Sequence, residues 1–200
     1  MSFSYETKNE LCRLPVQKLC CARAEAYGIL LYCNTFSATE VRVITENPNF
    51  AERLPKLFRR AFGLSFDRQP DKEQTEGKRI FQITDPRKLN HIINVLGYDP
   101  QQNLVLHINF AFMEEACDQA AFLRGAFFAG GSITDPQKRY HLELTTSHLQ
   151  VSREIESLLV ECGYPPKSLS RNGSSITYFK QSDQIEDFLT MIGAPVAAMN

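Results

Sequence analysis

The chain has 200 residues, 43% of them hydrophobic, with 22 Lys and Arg against 23 Asp and Glu and a formal net charge of -1. That length holds one large domain or two small ones around a real core, and the near-neutral balance excludes binding of nucleic acid by bulk charge. Six cysteines with no C-x-x-C pair and no histidine at zinc-ligand spacing argue against a disulfide framework or a zinc ribbon, and no apolar run nears the ~20 residues of a membrane span. The cysteines read as buried thiols of a cytoplasmic, reducing compartment, with no metal and no cofactor called for. Charge is uneven: residues 1–100 carry 15 Lys and Arg against 12 Asp and Glu, and residues 101–200 carry 7 against 11.

In chain order, a first helix is predicted over 5–14, ended before Pro15, and a second from Pro15 or Val16 to Cys33. The second has an apolar stripe at Leu19, Ala22, Ala26, Ile29, Leu30 and Cys33. A Val- and Ile-rich strand covers Val41–Thr45, and Asn47-Pro48 opens a helix that Gly63 stops. Residues 64–68 and 78–84 read as a hairpin around the polar loop 69–77, and Asp85-Pro86 opens a helix closed by Gly97. A helix follows over 114–129, ending at Gly130-Gly131, then a strand over 140–146 and a helix capped by Ser147 and closed by Gly163. Strands 167–170 and 175–180 flank the hairpin turn signal Arg171-Asn172-Gly173. Ser182 and Asp183 open a last helix, closed by Gly193.

The second half repeats the first. Gly28 matches Gly125, Gly63 matches Gly163 and Gly97 matches Gly193, at nearly constant offset and in the same element order. The predicted fold class is therefore α+β, two related αββαββα-type units with helices on one face of antiparallel sheet. The expected division is 1–112 for an N-terminal segment and first half, and 113–200 for the second half. The run 122–132 is apolar but small at Gly125, Ala126, Ala129, Gly130 and Gly131. Gly125 and Ala129 share a helix face, so a second helix, carrying Gly28, could approach there almost backbone to backbone.

These features resemble the LAGLIDADG homing-endonuclease fold, in which two such helices pair across a pseudo-two-fold. The opening Met1-Ser2-Phe3-Ser4 with Lys8 and Glu10-Leu11, the Cys20-Cys21-x-x-Ala24-Glu25 segment, the 122–132 run and the ending Asp187-Phe188-Leu189-Thr190-x-Ile192-Gly193-Ala194 resemble the WhiA family of bacterial regulators. That resemblance implies a DNA-binding transcription regulator linked to sporulation, cell division or chromosome segregation, associated with the nucleoid. It also implies a C-terminal helix-turn-helix domain, absent from this chain, as the main DNA contact. In the LAGLIDADG motif an acid lies one residue before the final glycine; the matching positions here are Cys33 and Gly130. Neither can hold a hard cation near a phosphate, so no nuclease is expected. Asp135-Pro136, three residues further on, reads as a turn. Candidate phosphate contacts are Arg42, Arg79, Lys138, Arg139, Arg171 and Lys180, on or beside predicted strands. The cluster Arg53, Lys56, Arg59 and Arg60 reads as a solvated helix face. Loss of the acids fits equally a protein-interaction or ligand-sensing scaffold that makes no direct DNA contact.

Overall fold

The computed structural model describes residues 2–16, 18–99 and 104–199; Met1 of the opening motif lies outside them. The Ser2 side chain accepts from the Tyr5 amide and starts α1 (Phe3–Leu11). Helix α2 (Leu19–Tyr32) begins later than predicted, because the chain is still extended at Lys18. Strands β1 (Thr35–Phe36) and β2 (Val41–Thr45) lead to α3 (Pro48–Phe62), whose first turn is capped by the Asn47 carboxamide. Then come β3 (Arg79–Ile83) and α4 (Pro86–Val95), capped by Asp85.

The second half is α5 (Ala116–Gly130), β4 (Gly131–Ile133), β5 (Leu142–Thr146), α6 (Leu149–Glu161), β6 (Lys167–Arg171), β7 (Ser174–Phe179) and α7 (Ser182–Ile192). A short α8 (Pro195–Ala198) follows. Ser147 does not cap α6: the cap position is His148, whose amide donates to Thr146 Oγ1 at 3.2 Å. Helix α7 starts at Ser182 from Gln181, which makes no side-chain cap. Gly63 and Gly163 sit at the ends of α3 and α6 with φ of 68° and 91°, the left-handed turn that stops both helices at matching points.

The two sheets have related topology, β1-β2-β3 and β4-β5-β7-β6, antiparallel throughout. The pair β2–β3 corresponds to β5–β7. The predicted strand 64–68 does not form as a counterpart of β6; only Arg68 bridges to Gln82. Turn chemistry explains the difference. Asn172 and Gly173 have φ of 51° and 80°, the geometry that folds β6 tightly onto β7. The connection from 69 to 77 is long and polar, and the amides of Asp67 and Arg68 both converge on the Gln82 carbonyl.

Helices α2 and α5 occupy the centre. Every residue of α2 from Ala24 to Tyr32 is buried, as is almost every residue of α5 from Ala121 to Phe128. A helix buried on all sides has no amphipathic stripe. The two cross where each lacks a side chain. A Cβ on Gly28 would lie 2.1 Å from the Phe122 carbonyl oxygen and 2.8 Å from the Ala126 nitrogen. A Cβ on Gly125 would lie 2.0 Å from the Glu25 carbonyl oxygen and 3.0 Å from the Ile29 nitrogen. Each glycine meets the residue three before the other glycine and the residue just after it, the reciprocal contact of an isologous pair. The connection between the halves is tied to the same helix: Tyr27 Oη lies 2.7 Å from Tyr98 Oη, donates to the His107 carbonyl at 2.7 Å and accepts from the Asn109 amide at 2.9 Å.

Gly28→Ala or Gly125→Ala forces backbone against backbone and should cost about 3 kcal/mol or prevent folding, since neither carbonyl can swing aside as a side chain would. Urea unfolding midpoints of the two variants measure this; a change within a few tenths of a kcal/mol in both would contradict the close crossing.

Candidate functional site

The C-terminal ends of the two central helices are where the resemblance places paired acids. Cys33 ends α2, with its thiol donating toward the carbonyls of Leu30 at 3.3 Å and Thr35 at 3.2 Å. Burial pushes that thiol up to about 12, so it stays protonated. Gly130 closes α5, and a Cβ there would lie 2.4 Å from the Thr145 carbonyl oxygen and 2.9 Å from Tyr32 Cδ2. The backbone thus has no room for any side chain at 130. Tyr32 is buried with its ring in that space, and its hydroxyl has no hydrogen-bond partner among the described residues. The small residue that admits Tyr32 is Gly130, while Ala129 is half-buried against the core. Asp135 makes a turn, its carboxylate accepting from the Gln137 amide at 2.9 Å.

The predicted basic residues separate into two groups. Arg42 lies on the outward face of β2, 43% exposed, beside Glu40 at 3.0 Å and across from Gln82. Lys138 and Arg139 are exposed in the β4–β5 connection. Arg171 is exposed at the end of β6, and its register places it on the outward face with Lys167, Leu169, Ile176 and Tyr178. Lys180 follows β7 with its ammonium 5.6 Å from the Tyr178 ring centroid. An acid shares that face: Glu143, across from Tyr178, lies 3.0 Å from His141 Nε2. Arg79 is the exception. Only 6% exposed, its guanidinium donates to the carbonyls of Glu46 at 2.9 Å and Gly77 at 3.3 Å, so it fastens the loops at the end of β3 and is not available to a phosphate.

A sequence model of the WhiA LAGLIDADG-like domain matches residues 119–200. A protein of Ruminiclostridium cellulolyticum named probable cell division protein WhiA is 35% identical over 208 residues, covering all of this chain and 66% of that protein. One of the same name from Alkaliphilus metalliredigens is 30% identical over 212 residues, covering all of this chain and 67% of that protein. The chain belongs to the WhiA family. It spans about two thirds of the length of these curated relatives. Among solved structures, the N-terminal LAGLIDADG domain of DUF199/WhiA superposes with a TM-score of 0.73 at 19% identity, covering 96% of this chain and 92% of that one. Full-length DUF199/WhiA from Thermatoga maritima gives 0.75 at 19% identity, over all of this chain and 64% of that one. The homing endonuclease I-DmoI, in complex with DNA and Mn, gives 0.59 at 12% identity, covering 88% of this chain and 98% of that one, a likeness of fold. No helix among the described residues is long and apolar enough to cross a membrane.

Two polar clusters of this WhiA chain were not legible as such in its sequence. The first is an Arg–Glu–Arg group at the helix crossing. Glu25, 1% exposed, accepts from Arg53 Nε at 2.8 Å and Nη2 at 2.9 Å and from Arg124 Nε at 2.7 Å. Arg53 also donates to the Leu14 carbonyl, and Arg124 to the Ile192 carbonyl at 2.9 Å, at the end of α7. Arg53 is therefore part of the core and not of a solvated helix face. The second cluster gathers Cys20, Cys21, Cys117 and Asp118 at the start of α2 and α5. Cys117 is exposed, unlike the buried thiol expected there. The repeat offset held the signal, since Cys20 and Cys117, like Cys21 and Asp118, are 97 residues apart, as are Gly28 and Gly125.

Glu25→Gln leaves two buried guanidinium groups facing a neutral amide, and we expect a loss of about 3–5 kcal/mol in urea unfolding; an unchanged midpoint would show the group to be energetically idle. Cys33, held protonated by burial, should resist alkylation by iodoacetamide at pH 8 in the native chain and react once urea unfolds it, as read by peptide mass mapping.

Proposed function

We propose that this chain is a non-cleaving, LAGLIDADG-like DNA-contacting part of a bacterial transcription regulator connected with cell division. The observation that carries the reading is the state of the two acid positions. Divalent cations at a scissile phosphate need carboxylate or other hard oxygen ligands. Cys33 offers a protonated thiol turned to backbone carbonyls, and position 130 admits no side chain. A fold retained without its metal chemistry keeps what else that fold provides, an outward sheet surface. Here that surface carries cations from both halves: half-buried Arg42, paired with Glu40, on the first sheet, and exposed Arg171 and Lys180 on the second, with Lys138 and Arg139 in a loop beside it. The stacked Tyr178 and His141 rings, centroids 5.3 Å apart, add a flat aromatic element to the same face. With few cations and no bulk positive charge, the contact is weak and salt-sensitive, and the tighter, sequence-specific contact belongs to a helix-turn-helix domain elsewhere in the full-length regulator.

The test is a salt titration of binding to a short duplex. Arg42→Ala, Arg171→Ala and Lys180→Ala should each flatten the dependence of log K on log salt by about one, leaving the unfolding midpoint in place. Arg79→Ala should lower the unfolding midpoint instead. No binding at low salt, or slopes indifferent to all three substitutions, would leave the interaction-scaffold reading in its place. Incubation with Mg2+ or Mn2+ should leave duplex DNA intact; nicking that is lost in Asp135→Ala would overturn the non-cleaving assignment.

A further inference from the structure

We propose that Cys20, Cys21, Cys117 and Asp118 form a structural binding site for a zinc-class divalent cation that joins the N-terminal ends of the two central helices. The site is independent of any DNA contact and lies at the helix ends opposite the lost acid positions.

Geometry is the first argument. One ligand atom from each of the four residues can be chosen so that all lie within 4.8 Å of one another. Asp118 Oδ1 is 3.7 Å from Cys21 Sγ and 3.9 Å from Cys117 Sγ. A tetrahedral centre with metal–sulfur bonds of about 2.3 Å sets its ligand atoms about 3.8 Å apart. The cluster therefore needs only a slight contraction to close around a single ion. A multi-iron cluster spreads its thiolates further apart than this set allows.

Burial is the second, independent argument. Asp118 is only 4% exposed, and its carboxylate is turned toward the thiols. It forms no ion pair among the described residues, whereas the other carboxylate buried in the central helices, Glu25, holds two arginines. A buried carboxylate faced by thiols, which are weak donors, is undercompensated until a cation takes their place. The chemistry of the donors selects the ion: thiolates disfavour Mg2+ and Ca2+, and three sulfurs with one oxygen suit tetrahedral zinc. Four protein ligands leave no position open, the mark of a structural site.

Binding is a proton exchange. Each of the three thiols gives its proton to solvent as its sulfur bonds to the metal, and the carboxylate binds as it stands. The resulting centre carries net negative charge. The positive N-terminal ends of α2 and α5 face that charge, and Lys18 Nζ stands 3.5 Å from Cys117 Sγ. The site follows from the duplication as well: one pair of ligands comes from each helix at matching positions, so an ion there fixes the angle of the crossing at Gly28 and Gly125.

The test uses the whole chain, purified without a metal-affinity tag. We expect about one zinc per chain by elemental analysis, released when mercurial reagent titrates the thiols. Co2+ added to the metal-free chain should give sulfur-to-cobalt charge transfer together with tetrahedral d–d bands. Cys20→Ser with Cys117→Ser should abolish both signals. Asp118→Cys should keep the metal and strengthen the charge-transfer band, a readout that separates ligation from mere folding. Circular dichroism of the metal-free chain and of the serine variant tells loss of a ligand from loss of fold. No zinc after exposure to excess metal, bands that survive in a folded serine variant, or a coloured iron–sulfur chromophore would each overturn the proposal.

Discussion

Two helix backbones approach in the middle of this molecule until a carbonyl oxygen of each occupies the place where the other would carry a side chain. That distance constrains everything around it. It demands glycine at 28 and 125, and it makes α2 and α5 a single central layer with no solvent-facing stripe. Each helix of the pair then leads into its own antiparallel sheet. The outer helices close over the remaining apolar surface, and left-handed glycines stop α3 and α6 at corresponding points of the two halves.

So tight a crossing leaves little apolar side chain at its centre, and polar groups take over part of the fastening. Glu25 serves twice: its carbonyl lies against Gly125, and its carboxylate gathers Arg53 from α3 and Arg124 from α5. Three elements thereby meet at one buried charge. Burying those charges has a solvation cost that hydrogen bonds of good geometry offset, and what they add is a fixed orientation of the helices. The Tyr27 hydroxyl acts in the same way toward the connection between the halves, with partners from Tyr98, His107 and Asn109.

At the C-terminal ends of the pair, packing fills the space beside Cys33 and Gly130. Tyr32 occupies the volume beside Gly130, and Thr146 donates to the Leu31 carbonyl at 2.9 Å, drawing the second sheet onto the end of α2. An acid could not be restored at 130 without displacing both a ring and a strand.

The sequence by itself determined the order of the main helices and of β2, β3, β5, β6 and β7, the repeat and the glycine pair, because each is a local or periodic signal: a helix stop, a Pro at a helix start, a Gly repeated at constant offset; the short β1, β4 and α8 carry no such signal. It determined also that positions 33 and 130, at the ends of the two helices, carry a cysteine and a glycine and no carboxylate. What only the tertiary structure decided depends on residues far apart in the chain. Alternation along β3 sets Arg79 on the face of Phe81 and Ile83 and, along β2, Arg42 on the opposite one, but only the structure showed the Arg79 guanidinium closed in by two loop carbonyls. Nor could pattern show that Arg53 turns inward to Glu25, since its helix face also bears exposed cations. Residues 64–68 read as a strand by composition, but a strand exists only through its partner, and the long polar connection after it left a single bridge at Arg68. The cysteines make the point most clearly. Cys20, Cys21, Cys117 and Asp118 are nearly a hundred residues apart in two pairs, and only the close crossing of two glycine-bearing helices brings them together.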